Sequence, residues 1–318
     1  MNEPLWRPSQ QRIDSAQITR FREYLQSQGF EVGLSYDQLH HWSVDQPEQF
    51  WQAIWEFGQV VAEGDRQPVL VDGDKFPGAR WFPSTRLNFA ENLLRCRDER
   101  PALVSLLENG DRSELSYEQL YCRVAQLAAA MRKLDLKPGD RVAGFMPNIE
   151  ETVIAMLAAT SIGAVWSSCS PDFGINGVMD RFGQIEPRVL FAADGYYYNG
   201  KSCDSLERLA AIRSQIDSIE KVVVVPLLSP SPDISAIQGA VLFPDFLDQE
   251  AREVEFERLP FDHPLYIMYS SGTTGVPKCI VHGAGGTLLQ HLKEHRLHVD
   301  LTREDVLFYF TTCGWMMW

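Results

Sequence analysis

The stretch LYIMYSSGTTGVPKCIV, residues 265–281, decides how the rest of the chain is read. Its first five residues, 265–269, are apolar enough for a buried strand. A run of serine, threonine and glycine follows, closed by Pro277-Lys278, and a second apolar stretch begins at once. Gly272 and Gly275 let backbone amides come close to a ligand and accept positive φ. Ser270, Ser271, Thr273 and Thr274 add hydroxyl donors, and Lys278 adds a cation. Several donors and one cation on a short loop are what a triphosphate requires. The order is not that of a Walker A loop, which needs four residues between its first glycine and a Gly-Lys pair, then Ser or Thr. Here Lys278 follows Pro277 and precedes Cys279. An ordinary surface loop uses the same residue types. The ordered sequence of buried strand, polar glycine run and Pro-Lys favours a phosphate loop.

Working outward from this loop, short apolar runs alternate with amphipathic ones. Strands are expected at 102–107, 141–146, 164–168, 189–192 and 221–225, the last reading Lys221-Val-Val-Val-Val225. Helices are expected at 149–161, 177–184 and 204–216, and another opens at a Ser116/Gln119 capping box. Turns fall at 108–111 and 137–140, and the Pro/Ser-rich stretch 226–240 reads as a loop. This alternation predicts an α/β fold with a doubly wound, mostly parallel sheet. Residues 1–90 have another texture, mainly helical. A helix over 15–28 is expected to start at Ser15 and stop at Gly29, and a second to start at Asp45-Gln-Pro-Glu48. Phe50, Trp51, Ile54 and Trp55 then fall on one side and read as core. The Pro/Gly-rich segment 73–83 separates the two textures, so domains are expected at 1–90 and 91–318.

Bulk composition narrows the function. With 43 acidic against 29 basic residues the formal charge is −14, which argues against nucleic acid or an anionic membrane as partner. The six cysteines are scattered, with no CxxC or Cys/His spacing, and signal neither zinc nor a disulfide framework. The N-terminus has no basic segment followed by an apolar one, and the apolar run 153–166 is too short to span a bilayer. A cytoplasmic protein with reduced thiols is expected.

Residues 269–278, YSSGTTGVPK, resemble the signature loop of the adenylate-forming enzymes: acyl-CoA synthetases, peptide-synthetase adenylation domains and luciferases. Leu87-Asn-Phe-Ala-Glu-Asn92, the aromatic helical region before it and Val281-His-Gly-Ala-Gly-Gly286 are similar to the acetyl-CoA synthetase branch. The ending Phe310-Thr-Thr-Cys-Gly-Trp-Met-Met-Trp318 looks like the acetoacetate-activating members of that branch. The resemblance implies the large adenylation domain, incomplete here, after an acetyl-CoA-synthetase-like N-terminal region. It implies ligation of acetoacetate to coenzyme A through an acyl-adenylate, with ATP, CoA and Mg2+. Carried over by position, Ser270, Ser271, Gly272, Thr273, Thr274 and Gly275 would cradle the phosphates. Lys278, with Thr273 and Thr274, would carry catalysis by neutralising the leaving pyrophosphate. Trp315, Met316 and Met317 would shape the acyl pocket, and Lys201 and Tyr198 would meet CoA. Cys279 and Cys313 depart from the family's usual small residue and threonine.

His282 is expected to be structural, because a carboxylate nucleophile needs no base. The set His291, His295 and His298 reads as a helix face rather than a metal site. Family members continue for a comparable length beyond the acyl-pocket motif, so residues 1–318 alone are expected to be catalytically deficient. Two alternatives stay open: the same chemistry on acetate, propionate or butyrate, and a nucleotide-binding module without turnover.

Overall fold

Val222 to Val225 show how the sequence builds its sheet: Val222 and Val224 enter one apolar cluster, Val223 and Val225 another. Leu190 and Ala192 against Val189, Phe191 and Ala193 repeat the alternation. Strands buried on both faces are the mark of a parallel sheet covered by helices. The computed structural model describes residues 5–33, 35–270 and 275–318. Its main sheet comprises β1 (Arg141–Phe145), β2 (Val165–Cys169), β3 (Val189–Ala193), β4 (Lys221–Val225), β5 (Ala240–Leu242), β6 (Pro264–Ser270) and β7 (Lys278–Gly283). The spatial order is β5-β4-β3-β1-β2-β6-β7. All neighbours are parallel except β6 and β7, which form an antiparallel edge hairpin. The expected α/β, doubly wound and mostly parallel sheet is present.

Helices α1 (Tyr117–Lys133) and α2 (Glu150–Ser161) contribute Leu127, Met131, Ile154 and Leu157 to one cluster. Helix α3 (Ile175–Ile185) contributes Val178 and Phe182 to the other, with Leu209 and Ile212 of the helix Leu206–Arg213. The Ser116/Gln119 capping box forms as read, because both its bonds are local. Gly144 lies under Trp166, where a Cβ would come within 2.7 Å of the indole ring.

Asn88 ties the start of this unit together. Its amide nitrogen donates to the carbonyls of Thr160 (3.2 Å), Ser161 (2.9 Å) and Glu257 (3.0 Å). Its side-chain oxygen accepts the Glu91 N–H at 3.2 Å, capping the short helix Phe89–Leu93. Alanine at 88 strands several buried groups at once and is expected to cost about 2–4 kcal/mol in urea unfolding.

The chain divides into two units, the sheet with its helices in Leu87–Leu259, His263–Ala284 and Phe310–Trp318. The other unit holds the helices Gln10–Ser15, Gln17–Ser27, Tyr36–Asp45 and Pro47–Phe57 and most of Ala284–Lys293. Phe50, Ile54 and Trp55 are buried in it, as their spacing indicated, while Trp51, also expected in the core, is half-buried; Phe21 meets the rings of Phe50 and Phe57 at 6.3 and 5.2 Å. Two helix starts differ from expectation. Ser15 ends a helix capped by Ser9, and the next begins at Gln17 after an extended Ala16. Asp45 ends the helix Tyr36–Asp45, whose box is Ser35/Gln38, and Pro47 starts the next one. Proline suits that first helical position because the N–H it lacks has no partner there and its fixed φ is already helical.

Candidate active site

Tyr266 of β6 pairs with Trp166 of β2 in parallel, so both strands run toward the same edge of the sheet. Ser270 then faces Lys278 across the hairpin, and Tyr269 faces Cys279. The glycine loop therefore leaves and rejoins the sheet at its carboxyl edge, where ligands of doubly wound folds collect. Ser271, Gly272, Thr273 and Thr274 lie outside the described residues. Gly275 has φ +104° with nothing within 4 Å of a Cβ position, so backbone conformation rather than space demands glycine there. Lys278 is exposed.

Helix α3 braces this hairpin from below. Gln184 donates its amide to the Pro277 carbonyl at 2.9 Å. The Arg181 guanidinium stands 4.6 Å from the Phe173 ring and 5.6 Å from the Tyr269 ring. Ser167 Oγ lies 2.7 Å from the Ile267 carbonyl and 2.9 Å from the Tyr269 hydroxyl. Burial pushes the Tyr269 phenol above its ordinary range, so it stays neutral.

At the same edge, beyond β1 and β2, opens a cavity of about 430 Å³. Met146–Ile149 and Ser170–Asp172 line it from just past the ends of β1 and β2, together with Tyr196–Tyr198, Phe310 and Thr312. The tyrosines belong to a β-hairpin, Gly195–Tyr198 with Lys201–Asp204. Tyr198 thus reaches the cavity, whereas Lys201 stands exposed at the start of the return strand, outside the lining. Glu108 accepts the Gly200 N–H at 3.2 Å and fixes the hairpin tip.

Trp315, Met316 and Met317 are exposed in part, and the residues of their segment that line the cavity are Phe310 and Thr312. The segment 308–318, apolar in sequence, has turns but no strand pairing among the described residues. Sequence reasoning also passed over Asp194. This carboxylate, 2% exposed, accepts the N–H groups of Leu227 (2.8 Å), Leu228 (2.9 Å) and Ser229 (2.9 Å). Its place directly after the buried strand 189–193 was the available signal.

His282 pairs with Tyr266 across the hairpin, a structural position. Among the described residues, no three His, Cys, Asp or Glu side chains come together as a metal nest. Cys279, next to Lys278, is exposed, while burial raises its thiol above the ordinary value. Its alkylation by N-ethylmaleimide is expected to rise about tenfold per pH unit up to its pKa, since only the thiolate reacts. Saturating MgATP is expected to slow that labelling; a rate indifferent to nucleotide argues against a phosphate site at Lys278.

A family model described as "AMP-binding enzyme" matches residues 89–318. The chain belongs to the AMP-binding enzyme family. A second model, "Acetyl-coenzyme A synthetase N-terminus", matches residues 36–93. This AMP-binding enzyme chain is 47% identical over 317 residues to an acetoacetyl-coenzyme A synthetase of Rhizobium meliloti (strain 1021), a match covering 99% of this chain and 48% of the relative. It is 40% identical to a malonamoyl-CoA synthetase of Penicillium aethiopicum, over 99% of this chain and 45% of that protein. Among solved structures, an acetoacetyl-CoA synthetase from Streptomyces lividans superposes with a TM-score of 0.94 at 43% identity, covering 100% of this chain and 49% of the other. The chain thus spans about half the length of the relatives it matches. No helix among the described residues is long and apolar enough to cross a membrane.

Proposed function

We propose that this chain is the ATP-handling part of a cytoplasmic acid–thiol ligase that joins acetoacetate to coenzyme A through an acyl-adenylate. The observation that carries this reading is that Ser270 and Lys278, the flanks of the glycine–hydroxyl loop, stand at the sheet edge that also bears the 430 Å³ cavity. Acetoacetate attacks the α-phosphorus of ATP and releases pyrophosphate; the thiol of CoA then displaces AMP from the adenylate. The acid is its own nucleophile, so the protein's part is placement and charge neutralisation. Ser270, Ser271, Gly272, Thr273, Thr274 and Gly275 hold the phosphates. Lys278, aided by Thr273 and Thr274, neutralises the departing pyrophosphate. ATP enters as its magnesium complex, the ion carried by phosphate oxygens. Trp315, Met316 and Met317 meet the acyl group, and Tyr198 and Lys201 meet CoA. Residues 1–90 form the N-terminal region of such a ligase and 91–318 the first part of its adenylation domain.

The Penicillium aethiopicum relative favours a second reading on one point. Malonamate and acetoacetate share an outline, a carbonyl placed β to the carboxylate, so the two acids compete as substrates. The test is acid-dependent ATP–pyrophosphate exchange, with the chain alone and with the C-terminal half of the Rhizobium meliloti relative supplied in trans. Acetoacetate is expected to exceed acetate, propionate and butyrate by about tenfold or more. Exchange led by malonamate moves the substrate to the second reading. ATP binding without exchange in either form, for any acid, leaves a nucleotide-binding module instead.

A further inference from the structure

The segment 310–318 is held in place by Ser168 and Cys313, neither of which lines the cavity. Ser168, buried near the end of β2, donates its hydroxyl to the Cys313 carbonyl. Cys313, also buried, donates its thiol to the Met146 carbonyl at 2.6 Å, just past β1. Gly314 lies so close beneath that a Cβ would sit 2.7 Å from the Ser170 nitrogen. Farther on, the Trp318 indole N–H donates to the Asn148 side-chain oxygen at 2.9 Å. Two successive turns, Trp315 N–H to Thr312 carbonyl and Trp318 N–H to Trp315 carbonyl, each 3.1 Å, carry the chain between these anchors. Trp315, Met316 and Met317 are therefore looped out between a buried anchor at 313 and a second one at 318.

We propose that Ser168 and Cys313 form a latch that positions the Trp315–Met317 segment, so that acid recognition depends on two buried residues that do not themselves touch the acid. The inference rests on the functional reading above for the role of that segment. Both residues act as positioning residues. A hydroxyl or thiol that satisfies a buried carbonyl cannot be removed without leaving that carbonyl unpaired, and the segment shifts to recover a partner. Burial pushes the Cys313 thiol up to about 12, which keeps it a neutral donor at every working pH. Serine in its place keeps a donor of similar reach; alanine does not.

The experiment uses the full chain labelled with 5-fluorotryptophan, in its parent form and as Ser168→Ala, Cys313→Ala and Cys313→Ser. Trp315→Phe and Trp318→Phe assign the two relevant signals among the eight tryptophans. The alanine variants are expected to move the Trp315 and Trp318 resonances and leave the rest in place. In the preparation that supports exchange, they are expected to raise the KM for acetoacetate about tenfold, with kcat and the KM for ATP within about twofold. Cys313→Ser is expected to return both readouts toward the parent. Unmoved resonances, or an unchanged acid KM in both alanine variants, overturn the latch. Parallel losses in kcat and the ATP KM overturn it too, because they report general damage. If the parent supports no exchange with any acid, the functional reading has failed, and the resonances alone decide whether the latch exists. If Cys313→Ala does not fold, Ser168→Ala and the serine variant carry the same decision.

Discussion

Replacing Lys278 with alanine is expected to lower acetoacetate-dependent ATP–pyrophosphate exchange by about 10²–10³-fold, the range for removing one preorganised donor from developing charge. Lys278 opens β7 and faces Ser270, so backbone pairing rather than its side chain fixes its place. The side chain is exposed and supports no core, and the unfolding midpoint should stay where it is. On the proposed function, its worth appears only as charge collects on the departing pyrophosphate. Arginine at 278 keeps the charge but spreads it over a planar fork, and recovery is expected to be partial. Exchange within about threefold of the parent in the alanine variant, measured at saturating ATP, refutes the assignment of Lys278 to the phosphates.

Asp194→Ala is expected to have the largest effect on stability, about 3–5 kcal/mol in equilibrium unfolding. The carboxylate gathers three consecutive backbone donors, Leu227, Leu228 and Ser229, into the bend after β4. Its backbone N–H also reaches the Val225 carbonyl at 3.0 Å, and its carbonyl accepts the Ser205 N–H at 2.9 Å. Two loops at the carboxyl edge thus share one residue. Alanine takes the shared acceptor from three N–H groups in a part-buried bend, which must rearrange to recover partners. Asparagine keeps the volume and one acceptor oxygen, so about half the loss is expected. A loss below about 1 kcal/mol for alanine, fitted from urea curves with unchanged slope, shows that the bend holds itself.

How much of this was legible in the sequence follows the range of the interactions involved. The valine run 221–225 and the Ser116/Gln119 box declare themselves because strand burial and capping act over a few residues. The helix Tyr36–Asp45 was missed, since only Leu39 of its ten residues is buried and no apolar stripe marks it. Its presence also changed the meaning of Asp45, which reads as a start only when nothing helical precedes it. The apolar residues 308–318 were legible as apolar but not as to what they meet: Phe308 and Phe310 are exposed, Cys313 fully buried. Asp194 and Asn148 act on partners 33–35 and 170 positions away, a distance at which no local pattern carries information.

The strand order has a consequence for synthesis on the ribosome. β1 is laid down first and lies inside the sheet, with β3, β4 and β5 added on one flank by residue 242. The outer flank of β2 waits for β6, and its partners Ser167 and Ile267 are 100 positions apart. At roughly 5–20 residues per second, that flank stays open on the nascent chain for about 5–20 s. During that interval a strand with unpaired N–H and C=O groups, flanked by a finished half-sheet, is a template for any passing extended segment. A ribosome-bound chain halted when residue 242, but not residue 264, has cleared the exit tunnel should capture strand-forming peptides that one with the β6–β7 hairpin also clear ignores.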